Sequence, residues 1–147
     1  MTTPPAVYGQ FGMTLAFAER ALTNLLHEHL AERDVEPDTW YALRLIASRA
    51  PGADREALID DLDGSRNVTA SARDLLARLE AEGLIRGDAE VDPTDEGDKM
   101  YRDLREYVIG PTVRLLDQFD IQDIETTVRT MRAITERATE GLTSSPE

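Results

Sequence analysis

Between Ser65 and Arg86 the chain sets out short polar and cationic side chains in three groups: Ser65, Arg66 and Asn67, then Thr69, Ser71 and Arg73, then Arg86. A guanidinium can donate to a phosphate or, as a fork, to the O6/N7 edge of guanine. An asparagine amide pairs with adenine, and serine and threonine hydroxyls serve either partner. Contact with double-stranded DNA is one chemistry these residue types allow. Ordinary solvation is the other: Arg66 and Arg73 can pair with Asp63 or Asp74, and Arg86 with Glu82. Both readings stand at the level of sequence.

No catalytic set accompanies these residues. The 147-residue chain has no cysteine, which excludes disulfides and thiolate chemistry. It also lacks a Gly-x-Ser-x-Gly elbow, a glycine-rich phosphate loop and a His-x-x-x-His pair. Its many acids fall where a solvated helix face explains them, so neither an enzyme nor a cofactor is expected. His27 and His29 flank Glu28, but residues two apart on a helix diverge and no four-ligand set is evident. We expect no metal site; both histidines read as surface or interface residues open to a pH response. Residues 1–10 have neither the charged nor the apolar region of a signal peptide. No apolar run approaches the ~20 residues of a membrane span. A cytoplasmic protein without a membrane partner is the expectation.

The elements that must position these groups follow from apolar spacing. Phe11, Leu15, Ala18, Leu22, Leu25, Leu26 and Leu30 recur at steps of three and four and predict a long helix ending near Arg33. Pro37 suits the first turn of a second helix, which Ala50-Pro51-Gly52 stops. Asp54 can cap a short third helix carrying Leu58, Ile59 and Leu62, closed by Asp63-Gly64-Ser65. A fourth helix starts between Asn67 and Ser71, buries Ala72, Leu75, Leu76 and Leu79, and ends at Gly83. Leu84-Ile85-Arg86, a turn at Gly87-Asp88, and Ala89 to Asp92 predict a very small hairpin. Thr94 can cap a fifth helix running towards Phe119, with a kink expected at Gly110-Pro111. Asp120 can cap a sixth, which carries Ile121, Ile124, Val128, Met131 and Ile134 and frays after Ala138.

A short helix, a glycine-containing turn, a second helix and a strand make a helix-turn-helix. In that motif one helix braces across the backbone and the next projects polar side chains into the major groove. The predicted class is mostly α: a winged helix-turn-helix with a very short wing and long N- and C-terminal dimerisation helices. The divisions are a loose N-terminal arm (1–10), a dimerisation helix (11–36), the winged helix-turn-helix (37–93), C-terminal dimerisation helices (94–140) and a disordered tail (141–147). The outer helices carry wider apolar stripes than the short central helices can cover, so a homodimer is expected.

From about Phe11 to Ala138 the chain resembles the MarR family of winged helix-turn-helix transcriptional regulators. Leu79-Glu80-Ala81-Glu82-Gly83-Leu84-Ile85 is similar to that family's end of recognition helix and first wing strand. Pro93-Thr94-Asp95-Glu96-Gly97 resembles its Leu-Thr-x-x-Gly start of the next helix, with Pro93 in the Leu position. Asp120 to Ile134 resembles its last helix. The resemblance implies a homodimer that binds pseudo-palindromic DNA. It also implies release of that DNA by a small, often aromatic, anionic ligand held between the dimerisation helices and the DNA-binding part. The family's wing usually carries an arginine that enters the minor groove. Here Gly87 to Pro93 holds no arginine and three acids: Asp88, Glu90 and Asp92.

Charge bears on the same point. The formal net charge is −13. Between Asp54 and Asp92 eleven acids stand against five arginines, whereas Ser65 to Arg86 holds four arginines against Asp74, Glu80 and Glu82. Weak, strongly salt-dependent DNA binding is the expectation. The alternative is a MarR-like dimer without strong DNA binding that serves as a ligand-binding or protein-interaction module. Phe17, Trp40, Tyr41 and Tyr101, with Tyr107, read either as core or as the lining of a ligand pocket.

Overall fold

A computed structural model describes residues 2–144. Among these residues, six helices and three short strands follow in the order α1 (Ala6–Glu32), α2 (Pro37–Arg49), β1 (Ala53–Asp54), α3 (Arg55–Asp63), α4 (Ala72–Ala81), β2 (Ile85–Gly87), β3 (Glu90–Pro93), α5 (Asp95–Leu116) and α6 (Ile121–Ser144). The chain divides into two compact units, one ending at Val108 and the other starting at Ile109, within α5.

In the first unit α1 begins at Ala6, so residues 6–10 of the expected loose arm are helical. Pro5 holds the residue before the helix in an extended conformation, and its carbonyl accepts the Tyr8 N–H at 3.0 Å. Val7 and Tyr8 in its first turn are exposed, as are Phe11 and Leu15 of the predicted stripe. At the other end Asp34 adopts φ 55°, and Val35 N–H reaches back to the Leu30 carbonyl at 3.0 Å. Aspartate tolerates this left-handed position better than most residues.

α2 is enclosed nearly all round: Asp38 to Leu43 and Ile46 are buried. One core packs α2, α3 and α4 together through Leu43, Ile46, Leu58, Leu75, Leu76 and Leu79, all at most 2% exposed. Each such leucine or isoleucine contributes about 1.5–3 kcal/mol by leaving water. A second cluster joins α1, α2 and α5 through Leu30, Trp40, Tyr41 and Leu104.

The sheet has three antiparallel strands in the order β1-β3-β2, one more than the predicted hairpin. β1 is two residues long and pairs Ala53 with Val91 and Asp54 with Glu90. Gly87 and Gly97 are both required. Gly87 has φ 115°, and a Cβ there would lie 2.0 Å from the Glu90 carbonyl oxygen. A Cβ on Gly97 would lie 1.9 Å from the Leu84 carbonyl oxygen, so the first turn of α5 presses directly on the strand entry. Thr94 fixes that turn: its hydroxyl donates to the Gly83 carbonyl at 2.6 Å and accepts the Gly97 N–H at 3.0 Å.

In the second unit α5 continues as helix through Pro111. Asp120 caps α6 by accepting the Gln122 N–H at 2.8 Å. α6 runs to Ser144, so residues 141–144 are helical where a tail was expected; residues 145–147 lie outside the described residues. A helix once begun adds a hydrogen bond for each residue it fixes, and polar residues extend it past its last apolar position. Ile121, Val128, Met131 and Ile134 on α6 are exposed within the single chain. No helix among the described residues is long and apolar enough to cross a membrane.

Candidate nucleic-acid interface

α4 is held at both ends by α2. At its N-terminal end the Asp38 carboxylate, 7% exposed, accepts three bonds: from the Thr69 N–H (3.0 Å), the Thr69 hydroxyl (3.1 Å) and the Ala70 N–H (2.9 Å). Burial pushes the Asp38 carboxyl up, but these donors and the nearby Arg78 charge outweigh it and leave it below the usual aspartate value. Asp63, the last residue of α3, accepts the Ala72 N–H at 2.8 Å. One turn before the end of α4, Arg78 reaches the Thr39 hydroxyl at 3.3 Å and Glu36 at 3.5 Å. The first turn of α2 thus grips α4 at two places.

With about 3.6 residues per turn, the side of α4 opposite Ala72, Leu75, Leu76 and Leu79 carries Asp74, Ala77 and Ala81. Arg73 and Glu80 stand at one edge and Arg78 at the other. Asp74, Ala77, Ala81, Arg73 and Glu80 are all exposed. None of them has core duty, and a helix-turn-helix directs this kind of face into a groove. The wing is tied to the same helix by Arg55. Its guanidinium donates to the Gly87 carbonyl at 2.9 Å, to the Asp88 carbonyl, and to the Glu80 carboxylate. Glu80 is thereby neutralised beside the outward face.

The seven residues singled out for DNA contact do not share one surface. Ser71 and Arg73 stand at the start of α4, Ser71 at its N-cap position and Arg73 exposed, 3.5 Å from Glu56 on α3. Thr69 lies before α4, with its hydroxyl committed to Asp38. Ser65 accepts the Asn67 N–H at 3.2 Å, and both line a cavity of about 560 Å³ with Tyr41, Arg44 and Arg49. Arg66 and Asn67 also line a groove of about 430 Å³ against Gly12, Leu15 and Ala16 of α1. Arg86 is exposed on β2, opposite Asp92 across the hairpin. The turn folds back towards α1 and α2 because Asp38 captures its last residues. Sequence reading named Ala72, Leu75, Leu76 and Leu79 as the apolar side of α4 but did not follow the helix round to Asp74 and Ala77 opposite it.

The four aromatic residues expected around one pocket are likewise divided. Trp40 and Tyr101 stack in the second core cluster, ring centroids 5.5 Å apart, and the buried Trp40 indole N–H has no acceptor among the described residues. Phe17 is exposed on α1, with Arg20 over its ring at 5.8 Å. Tyr41 lines the 560 Å³ cavity; its hydroxyl meets His27 Nε2 at 3.2 Å and Arg44 lies over its ring at 5.2 Å. Burial raises the Tyr41 hydroxyl above the usual tyrosine value, and Arg44 draws it partly back. Tyr107 donates to Glu32, beneath Arg33 at 4.0 Å from its ring. That bond is the main cause that raises the Tyr107 hydroxyl and lowers the Glu32 carboxyl. His29 also meets Glu32, at 3.3 Å. No cluster of three or more metal-ligating side chains occurs among the described residues.

No protein-family model matches the sequence, and no curated protein does. Solved structures do. A MarR family protein from Bacillus stearothermophilus is 16% identical with a TM-score of 0.77, covering 94% of this chain and 99% of its own. A MarR family protein of Mycobacterium tuberculosis in complex with DNA is 16% identical with a TM-score of 0.68, covering 90% and 98%. CouR from Rhodococcus jostii RHA1, bound to p-coumaroyl-CoA, is 16% identical with a TM-score of 0.69, covering 89% and 95%. The fold, with α2, α3, α4 and the small wing following one another in that order, is therefore that of the MarR proteins.

Proposed function

We propose that this chain is a homodimeric transcriptional regulator that inserts α4 of each copy into the major groove of double-stranded DNA. The observation that carries the reading is the outward face of α4, positioned from two sides by Asp38 and Arg78 and free of any packing role. The DNA complex of the Mycobacterium tuberculosis protein supports it by fold. Ser71 and Arg73 enter the groove, and Arg86 meets phosphate from the wing. Ser65, Arg66, Asn67 and Thr69 set the turn and its cavities and leave base contact to α4.

The second copy covers the apolar residues left exposed on α1 and α6, among them Tyr8, Phe11 and Phe17, and Val128 and Met131. Apolar exposure on this scale marks an interaction surface. A two-fold dimer then presents two α4 helices about 34 Å apart, one turn of DNA. A small anionic ligand would meet Arg44 and Tyr41 in the cavity next to the turn that leads into α4, where Arg49 is already paired with Asp61. CouR, with its bound acyl-CoA, supports a ligand-responsive role by fold.

A second reading draws on the wing. With Asp88 at its tip and Glu90 and Asp92 behind it, the hairpin offers phosphate repulsion. A dimer confined to ligand or protein binding would tolerate that. One experiment separates the two. Light scattering fixes the oligomeric state at micromolar concentration, and gel shifts at low salt test duplex fragments from beside the chain's own gene. A dimer that binds a fragment and loses it steeply with added salt supports the regulator. A dimer that binds no fragment supports the second reading, and a monomer removes both.

A further inference from the structure

Asp74 occupies the first turn of α4 on the side turned away from the core, and it has no hydrogen-bond or ion-pair partner among the described residues. Its cationic neighbours are engaged elsewhere: Arg73 faces Glu56, and Arg78 faces Glu36 and Glu82, each at 3.5 Å. Ala70 before it and Ala77 after it are exposed and carry nothing larger than a methyl group. A helix with such small neighbours approaches base edges closely, and beside Ser71 and Arg73 the Asp74 carboxylate is then a polar group that meets them.

At neutral pH a carboxylate accepts hydrogen bonds and donates none. In the major groove guanine shows two acceptors, and thymine an acceptor and a methyl group. Adenine shows a donor beside an acceptor, and cytosine its N4 amino donor. Resting on the regulator reading above, we propose that Asp74 is a specificity-determining residue. It selects a cytosine in each half of the operator by accepting from the N4 amino group, and it rejects guanine and thymine by placing oxygen against oxygen. Discrimination of this kind comes from the repelled bases as much as from the accepted one. It also gives a reason for an acid on a surface that must lie near phosphates. An acid in a first helical turn favours the helix as well, but that role changes affinity for every sequence alike and leaves base preference untouched.

The test is selection of bound duplexes from a randomised pool at low salt, with the full chain as wild type, Asp74→Asn and Asp74→Ala. The wild type is expected to enrich a pseudo-palindrome with a cytosine in each half, where exchange for guanine weakens binding about tenfold or more. Asp74→Asn moves that one position to adenine, whose N6/N7 edge an amide pairs with in both directions. Asp74→Ala erases the preference there and keeps the rest of the operator. Selection of the same base at every position by all three proteins overturns the assignment, as does a uniform change in affinity with unchanged preference. A wild type that enriches no sequence overturns the regulator reading and the assignment with it. Because Asp74 is exposed and unpartnered, both variants are expected to keep the parent's helical circular dichroism.

Discussion

Replacing Asp38 by alanine removes the acceptor that gathers the Thr69 and Ala70 N–H groups and the Thr69 hydroxyl at 2.9–3.1 Å. Hydrogen bonds to a charged group contribute roughly 1.5–3 kcal/mol each, and they are not additive. Thr69 and Ala70 are exposed, so water takes over part of their bonding once the carboxylate is gone. The expected loss is therefore about 2–4 kcal/mol in total and not three full bonds. With a urea slope of about 1–3 kcal/mol per molar, the unfolding midpoint falls by about 1 M or more. Asp38→Asn keeps the shape but turns one acceptor into a donor facing other donors, and it is expected to recover less than half of the loss. The folded carboxyl titrates below the ordinary aspartate value of 3.8. Its contribution is therefore complete above that pH and disappears as the pH falls through the lower folded value. The gap between parent and Asp38→Ala should accordingly begin to narrow below about pH 4 and be smaller at pH 3 than at pH 7. Urea titrations at pH 7 and pH 3 measure both effects. A variant within about 0.5 kcal/mol of the parent at pH 7, or a gap that persists undiminished at pH 3, refutes the view that this carboxylate places α4.

Two further outcomes follow from close contacts elsewhere. Gly97→Ala sets a methyl group against the Leu84 carbonyl at 1.9 Å; the backbone must move, and chemical denaturation is expected to show a loss of at least about 2 kcal/mol. A midpoint equal to the parent's contradicts the close approach. Arg55→Ala frees the wing tip from α3 and from Glu80. Hydrogen exchange at Gly87 to Glu90 should accelerate while α2 stays protected; unchanged exchange means that Arg55 does not hold the wing.

Much of the fold is legible because local rules agree with the final packing. The spacing of Leu75, Leu76 and Leu79 marks the buried side of α4, Asp54 and Thr94 sit where caps belong, and Gly83 ends a helix with φ 78°. The start of α1 was obscured because Pro4-Pro5 suggests a loose arm, although Val7 and Tyr8 continue the spacing of Phe11 and Leu15. β1 is too short for alternation to show, and its Asp54 also signals a helix cap. The greatest loss is at the site. Asp38 and Thr69 are 31 residues apart in sequence, and nothing local says that one will capture the other. That contact holds Thr69 ahead of α4, while Ser65 and Asn67 line the cavity beside Tyr41. Residue type alone suggested hydroxyls and arginines for DNA contact. The leucine spacing of α4 already places Asp74 and Ala77 opposite its buried side, and an acid and a methyl group were passed over because they do not look like DNA ligands.

Trp40 is the sole tryptophan in the chain, and it is buried against Tyr101 in the unit that ends at Val108. Its ultraviolet emission is therefore a private signal of that unit, silent about α6. Far-ultraviolet dichroism sums over every helix. Where the two melting curves coincide, the units come apart together; where they separate, the interval between them measures how loosely their fates are linked. The protein carries its own dye, set in the larger of its two units.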